Sequence, residues 1–240
     1  SVPYSFEDYA IVSNPIVRDP QYNPIERLCE RLGDSPILAA QEIKIFTTGY
    51  DKFEALFADI KAAKQHIHLQ YYAIESDRLG NQLADLLIQK ISEGVIVRIL
   101  YDDVGSWTSR RSFWKRMRKA GVQVYPFMKV VIPYLSSRVN YRNHRKLAII
   151  DGEIGYMGGM NIADRYYYGN EMGPWRDTHF RLTGGIVAEL QTAFLIDWFL
   201  ITRRVVHLRD YFPKRLSSGD TPLIPMQFFL GSPMGAWRSI

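Results

Sequence analysis

The chain has 240 residues, 47% of them hydrophobic and 23% charged, with a formal net charge of +5 and a single cysteine, Cys29. That composition suits a folded chain long enough to bury a core without staples. It excludes an internal disulfide and favours anionic partners: phospholipid headgroups, nucleic acid or phosphorylated metabolites. Residues 1–40 read as an irregular lead-in with one short helix, which Asn23-Pro24 opens and Gly33 ends. A strand–helix rhythm follows. Strands are expected at Ile43–Thr47, Ile67–Tyr71, Val95–Tyr101 and Val122–Tyr125, and helices at Lys52–Lys64, Leu79–Ser92 and Ser109–Ala120.

Further along, His144–Ile150 and Glu153–Met157 read as two strands of a hairpin turned by Asp151-Gly152. Asp177–Thr183 is strand-like, and Gly184–Arg203 is a long helix whose apolar stretch Ala193–Ile201, interrupted by Asp197, reads as core. No run reaches the roughly 18 apolar residues of a spanning helix. Ser217–Pro225 has linker composition, and Gln227–Ile240 (QFFLGSPMGAWRSI) echoes Lys44–Phe57 (KIFTTGYDKFEALF) as strand, Gly turn and helix start. Strands alternating with helices predict an α/β sandwich with helices on both faces of the sheet.

The chemistry concentrates in one pattern: His144-Arg-Lys146, four residues, Asp151, six residues, Gly158-Gly159, then Asn161. Residues two apart on a strand share a face, so His144 and Lys146 should project side by side. A neutral imidazole beside an ammonium suits attack on a phosphodiester, because the cation offsets the anionic oxygens that repel a nucleophile. Gly158 and Gly159 leave room for backbone to approach a phosphate, and the Asn161 amide is a donor for its oxygens. Asp151 is expected to hold Lys146 or the loop. The five fixed positions from His144 to Gly159 together should arise by chance with probability on the order of 10⁻⁴ in such a chain. Asn143 and Arg145 fall on the opposite face and outside this group.

With this motif the chain resembles the phospholipase D superfamily, and more closely the bacterial cardiolipin synthases through Val97–Ser106 (VRILYDDVGS), Met157–Tyr166 (MGGMNIADRY), Pro174–Leu182 (PWRDTHFRL) and Ala193–Phe199 (AFLIDWF). The resemblance implies a phospholipase-D-like α-β-α sandwich with a mixed sheet. It implies a catalytic group of His144, Lys146, Asp151 and Asp177, with His144 the phosphohistidine nucleophile or its acid partner. It gives Lys146, Asn161 and Gly159 to the phosphate, and Asp177 to orienting the histidine through its other ring nitrogen. The implied reaction moves a phosphatidyl group between two phosphatidylglycerol molecules, giving cardiolipin and glycerol. No metal or organic cofactor is expected, since protein cations and amide donors serve the phosphate.

Cardiolipin synthases carry two such motifs in one chain, preceded by membrane segments; one motif is present here, no such segment is, and residue 1 is Ser rather than Met. The expectation is therefore a first half cut at both ends: a phospholipase-D-like domain over residues 41–216, then a linker and the start of a truncated second repeat over 217–240. Such a half is expected to be inactive alone, to need the missing C-terminal half or a homodimer partner, and to work at a membrane surface, the cytoplasmic face of a bacterial inner membrane. A homodimeric phosphodiesterase or nuclease is the alternative, with nucleic acid the less expected partner. Among secondary signals, the basic helix at Arg110–Lys119 reads as a solvated face over buried Phe113, Trp114 and Met117 rather than a membrane-surface helix. Val130–Asn140 is a lipid-facing, substrate-facing or ordinary buried loop. Asp102-Asp103 reads as a loop or cap feature, and His66 with His68 lacks the further ligands of a zinc site.

Overall fold

A computed structural model describes residues 37–127, 144–171, 173–206, 211 and 223–228. The lead-in helix, Val130–Asn140, Asn143 and most of the C-terminal echo lie outside them. Among these residues eight strands form one mixed sheet: β1 (Leu38–Thr48), β2 (His66–Tyr71), β3 (Ile96–Asp102), β4 (Gln123–Phe127), β5 (Leu147–Ile150), β6 (Ile154–Gly158), β7 (Arg176–Gly184) and β8 (Ile224–Met226). Their spatial order is β4-β3-β2-β5-β6-β7-β1-β8. β2, β3 and β4 run parallel, and every pairing from β2–β5 onward to β1–β8 is antiparallel.

Among the described residues five helices cover the sheet: α1 (Gly49–Ala62), α2 (Arg78–Ser92), α3 (Arg111–Lys119), α4 (Asp164–Tyr168) and α5 (Val187–Thr202). α1 starts where Thr48 accepts a hydrogen bond from the Asp51 N–H (3.3 Å), and α2 where Asp77 accepts one from Gly80 (2.9 Å). α1 to α4 bury Phe53, Leu56, Ile60, Leu83, Leu87, Trp114 and Tyr166 against one face of the sheet. α5 buries Leu190, Phe194 and Trp198 against the other. Strand alternation divides β5 between the two cores: Ala148 and Ile150 face α1–α4, while Leu147 and Ile149 face α5. Helices therefore lie on both faces, as the strand–helix alternation predicts.

Three expectations change. β1 begins at Leu38, inside the expected lead-in. Ile224 and Pro225, expected in a linker, join an edge strand on β1, with Leu38 opposite Met226. β5 begins at Leu147 rather than His144, so His144–Lys146 lead into the ladder without belonging to it. The hairpin turns at Asp151-Gly152 as expected, both residues taking positive φ (54° and 70°) with the Glu153 N–H bonded to the Ile150 carbonyl (3.1 Å), but Ile150 pairs with Ile154, so Glu153 belongs to the turn rather than to β6. Phe113, Trp114 and Met117 of α3 are buried core residues beneath its exposed cations.

Candidate active site

The antiparallel order brings the ends of distant strands together. β2 finishes beside the start of β5, since Gln70 pairs with Leu147. β6 finishes beside the start of β7, since Gly158 pairs with His179. The His144–Lys146 segment, Gly158-Gly159 and Asp177 thus share one end of the sheet. His144 is exposed, and its ring stacks on Tyr72, centroids 4.5 Å apart and planes within 17°. Lys146 donates to the His144 carbonyl oxygen (2.5 Å) and sits 5.4 Å from the Tyr72 ring centroid. Partial burial lowers its pKa, and the Asp177 charge opposes that shift.

The two glycines admit the close approach of β7. A Cβ at Gly158 would lie 2.4 Å from the Thr178 carbonyl oxygen and 2.6 Å from Nδ1 of His179. A Cβ at Gly159 would lie 2.2 Å from an Asp177 carboxylate oxygen. Lacking both, β6 lets Asp177 and His179 close toward Lys146. Asp177 accepts a hydrogen bond from the Thr178 N–H (2.7 Å) and makes none with His144. Its connection to the pair is electrostatic and runs through Lys146.

Asp151, expected in the catalytic group, lies at the far end of β5, about 20 Å of strand from His144. Its carboxylate accepts the backbone N–H groups of Lys64 (2.8 Å), Gln65 (2.8 Å) and His66 (2.9 Å). It pins the hairpin to the start of β2. Asn161, expected to serve a phosphate, is 6% exposed; its carbonyl accepts the Ala73 N–H (3.0 Å) and its amide donates to the Tyr166 hydroxyl (2.9 Å). It ties the loop after Gly159 to the end of β2.

Two residues beneath the pair carry no motif. Lys52 is fully buried on α1, 3.3 Å from the Tyr71 hydroxyl and 3.7 Å from the Phe53 ring centroid. Burial holds its pKa well below that of an ordinary lysine. His179 is also fully buried, with neither ring nitrogen hydrogen-bonded among the described residues. Burial, then the charges of Lys52 and Lys146, keep it neutral well below the usual histidine range. One sequence signal pointed here: Lys52 shares the core face of α1 with Leu56 and Ile60 at four-residue spacing.

Across the sheet, His66 and His68 belong to a buried network. The Arg98 guanidinium keeps its protons, so Nε2 of His68 accepts from it (3.0 Å). Nδ1 of His68 lies 2.8 Å from the Gln191 amide nitrogen and 3.3 Å from its carbonyl oxygen, and Nε2 of His66 lies 3.1 Å from the same oxygen. Burial lowers the His66 pKa to about 4. Asp102 spends a carboxylate oxygen on the N–H groups of Val104 and Gly105 (2.9 and 3.1 Å), a loop role.

The family model described as cardiolipin synthase, phospholipase-D-like domain, matches residues 56–198. A cardiolipin synthase of Oceanobacillus iheyensis is 45% identical over 201 residues, 82% of this chain and 41% of that protein. One from Listeria monocytogenes is 44% identical over 213 residues, 87% of this chain and 44% of that protein. The chain thus spans less than half the length of these curated relatives. Among solved structures, phosphatidylserine synthase of Haemophilus influenzae Rd KW20 is similar with a TM-score of 0.56 at 17% identity, over 77% of this chain and 46% of that one. NucT from Helicobacter pylori is similar with a TM-score of 0.51 at 17% identity, over 64% of this chain and 92% of that one. These two likenesses concern the fold alone.

Proposed function

Because the chain belongs to the family of cardiolipin-synthase phospholipase-D-like domains, we propose that it forms one half of a phosphatidyltransferase active site. The proposed reaction joins two phosphatidylglycerol molecules into cardiolipin and releases glycerol. The observation that carries it is the convergence of His144, Lys146 and Asp177 at one end of the sheet, two of them on a segment lying outside the ladder.

In the proposed first step, the neutral His144 imidazole attacks phosphorus through a ring nitrogen. The bond to the glycerol oxygen breaks, and the leaving alkoxide takes a proton from an acid on the missing half. Lys146 neutralises charge on the non-bridging oxygens. Asp177 steadies Lys146 and, once substrate is seated, accepts the remaining ring N–H of His144, a contact that has yet to form in the free chain. In the second step the hydroxyl of another phosphatidylglycerol displaces His144 from phosphorus, giving its proton to the base left by the first step. Asp151 and Asn161 act here as anchors of the segments that carry the reacting groups. The identity of the relatives supports the lipid substrate, and the likeness over less than half their length supports a partner half. Residues 41–216 are proposed as the first phospholipase-D-like unit, active at the inner face of a bacterial membrane once the second half is joined.

The test is to mix the intact enzyme containing this sequence with phosphatidylglycerol labelled in its phosphatidyl group, quench in base, where phosphohistidine survives, and look for label on protein. Label on the wild type and none on His144→Ala, together with lost cardiolipin formation, is expected. Cardiolipin formation by His144→Ala at the wild-type rate would remove the assignment.

A further inference from the structure

The ladder of β5 begins at Leu147, opposite Gln70 of β2 and Met157 of β6. The preceding three residues include both members of the proposed reacting pair and have no ladder partners. Something other than sheet hydrogen bonding must set where they point. Continuing the alternation outward from Ala148 and Leu147 sends Lys146 and His144 toward the α1–α4 side and Arg145 toward α5. Arg145 there forms an ion pair with Asp197 of α5 through Nη1. The Arg145 side chain is 23% exposed and that of Asp197 7%, so solvent screens the pair little. The same Asp197 oxygen accepts the Gln70 side-chain amide at 2.6 Å.

We propose that Arg145, held behind the sheet by Asp197, whose same oxygen accepts from Gln70, is the positioning residue that aims His144 and Lys146 at the phosphodiester. Gln70 is the very residue laddered with Leu147. Asp197 therefore joins one donor from inside the ladder to one from the unladdered segment just beyond it. Its own position is fixed by α5, where the adjacent Trp198 and nearby Phe194 are fully buried. Because neighbouring side chains leave an extended segment in opposite directions, rotation of the segment is blocked for His144 and Lys146 together when Arg145 is clamped between them. A bidentate-capable guanidinium suits this task, since its planar fork resists rotation about the contact. The stack of His144 on Tyr72 holds the segment from the other side. Arg145 touches no substrate in this scheme; it acts through its two neighbours. The inference rests on the proposed roles of His144 and Lys146.

The experiment measures kcat and KM for cardiolipin formation by the intact enzyme containing this sequence, with phosphatidylglycerol in mixed detergent micelles. Arg145→Gln is expected to lower kcat about 100-fold with KM within about threefold, the pattern of misaligned reacting groups with intact binding. Arg145→Lys should recover roughly tenfold of that loss. Asp197→Asn, which keeps an acceptor and the side-chain volume, should lower kcat with little change in melting temperature. The double variant Arg145→Gln, Asp197→Asn should be no slower than the worse single one, because both changes break one contact. Losses that multiply in the double variant, or kcat within about twofold of wild type in Asp197→Asn and Arg145→Gln, would overturn the proposal. If Arg145→Gln does not fold, Asp197→Asn against Arg145→Lys carries the same decision. His144→Ala is the reference: if it still turns over, the catalytic reading itself fails, whereas an inactive His144→Ala beside fully active Arg145 and Asp197 variants refutes the positioning role alone.

Discussion

Gly158→Ala should damage both stability and catalysis, and the structure gives the size. The new Cβ would stand 2.4 Å from the Thr178 carbonyl oxygen, 2.5 Å from Cα of His179 and 2.6 Å from its Nδ1. Two of these three atoms are backbone, so no rotamer change relieves the clash. Restoring ordinary contact requires β6 and β7 to part by roughly 1 Å, the kind of strain that costs about 1–3 kcal/mol in an overpacked site. For a domain of this size that corresponds to a fall of roughly 2–12 °C in melting temperature. Parting the strands also moves Asp177 away from Lys146, and a misplacement of about 1 Å lowers turnover on the order of 100-fold. The assays are thermal unfolding and cardiolipin formation on the same preparation. His179→Ala, placed in the same molecule, should not rescue stability, because it removes the ring and leaves the backbone collisions. Gly158→Ala with wild-type melting and turnover would refute the reasoning, and rescue by His179→Ala would show that the ring alone was in the way.

Two further outcomes separate anchors from chemistry. Asp151→Asn keeps one acceptor of the carboxylate pair that holds the Lys64, Gln65 and His66 N–H groups. It should cost about 1–3 kcal/mol in denaturant unfolding while leaving kcat per folded molecule unchanged; lost turnover in a fully folded variant would return Asp151 to the catalytic group. His66 sets a pH dependence. Its pKa is about 4 in the folded chain, lowered chiefly by burial, against about 6.5 when unfolded. The unfolded chain thus binds more protons between these values, and stability present above pH 6.5 is lost as the pH falls toward 4, by up to about 3 kcal/mol. Buried His68 and His179 are shifted the same way. Denaturant midpoints followed across that range should fall less for His66→Gln than for the parent, and parallel curves would remove the attribution.

What the sequence determined by itself is what near neighbours decide. Apolar periodicity located most of the strands and helices within a few residues, since a helix face or a strand face needs only its own chain to be defined. The Asp151-Gly152 turn was legible because two consecutive positive φ angles favour that pair whatever lies beyond it. Histidine and lysine two apart, with the glycines and Asn161 behind them, are what suggests phosphodiester chemistry from residue type and spacing, the reading proposed above. Only the tertiary structure decided what each motif residue touches. The placement of β5 between β2 and β6 sends Asp151 to the far end of the sheet and gives Asn161 to Ala73 and Tyr166. The approach of β7 explains the paired glycines, which accommodate Asp177 and His179, residues about twenty positions away. Lys52 beneath the site and Asp197 behind it were hidden for the same reason. Each meets its partners across a sheet whose strand order is set by the summed burial of two cores, and no local pattern encodes that sum.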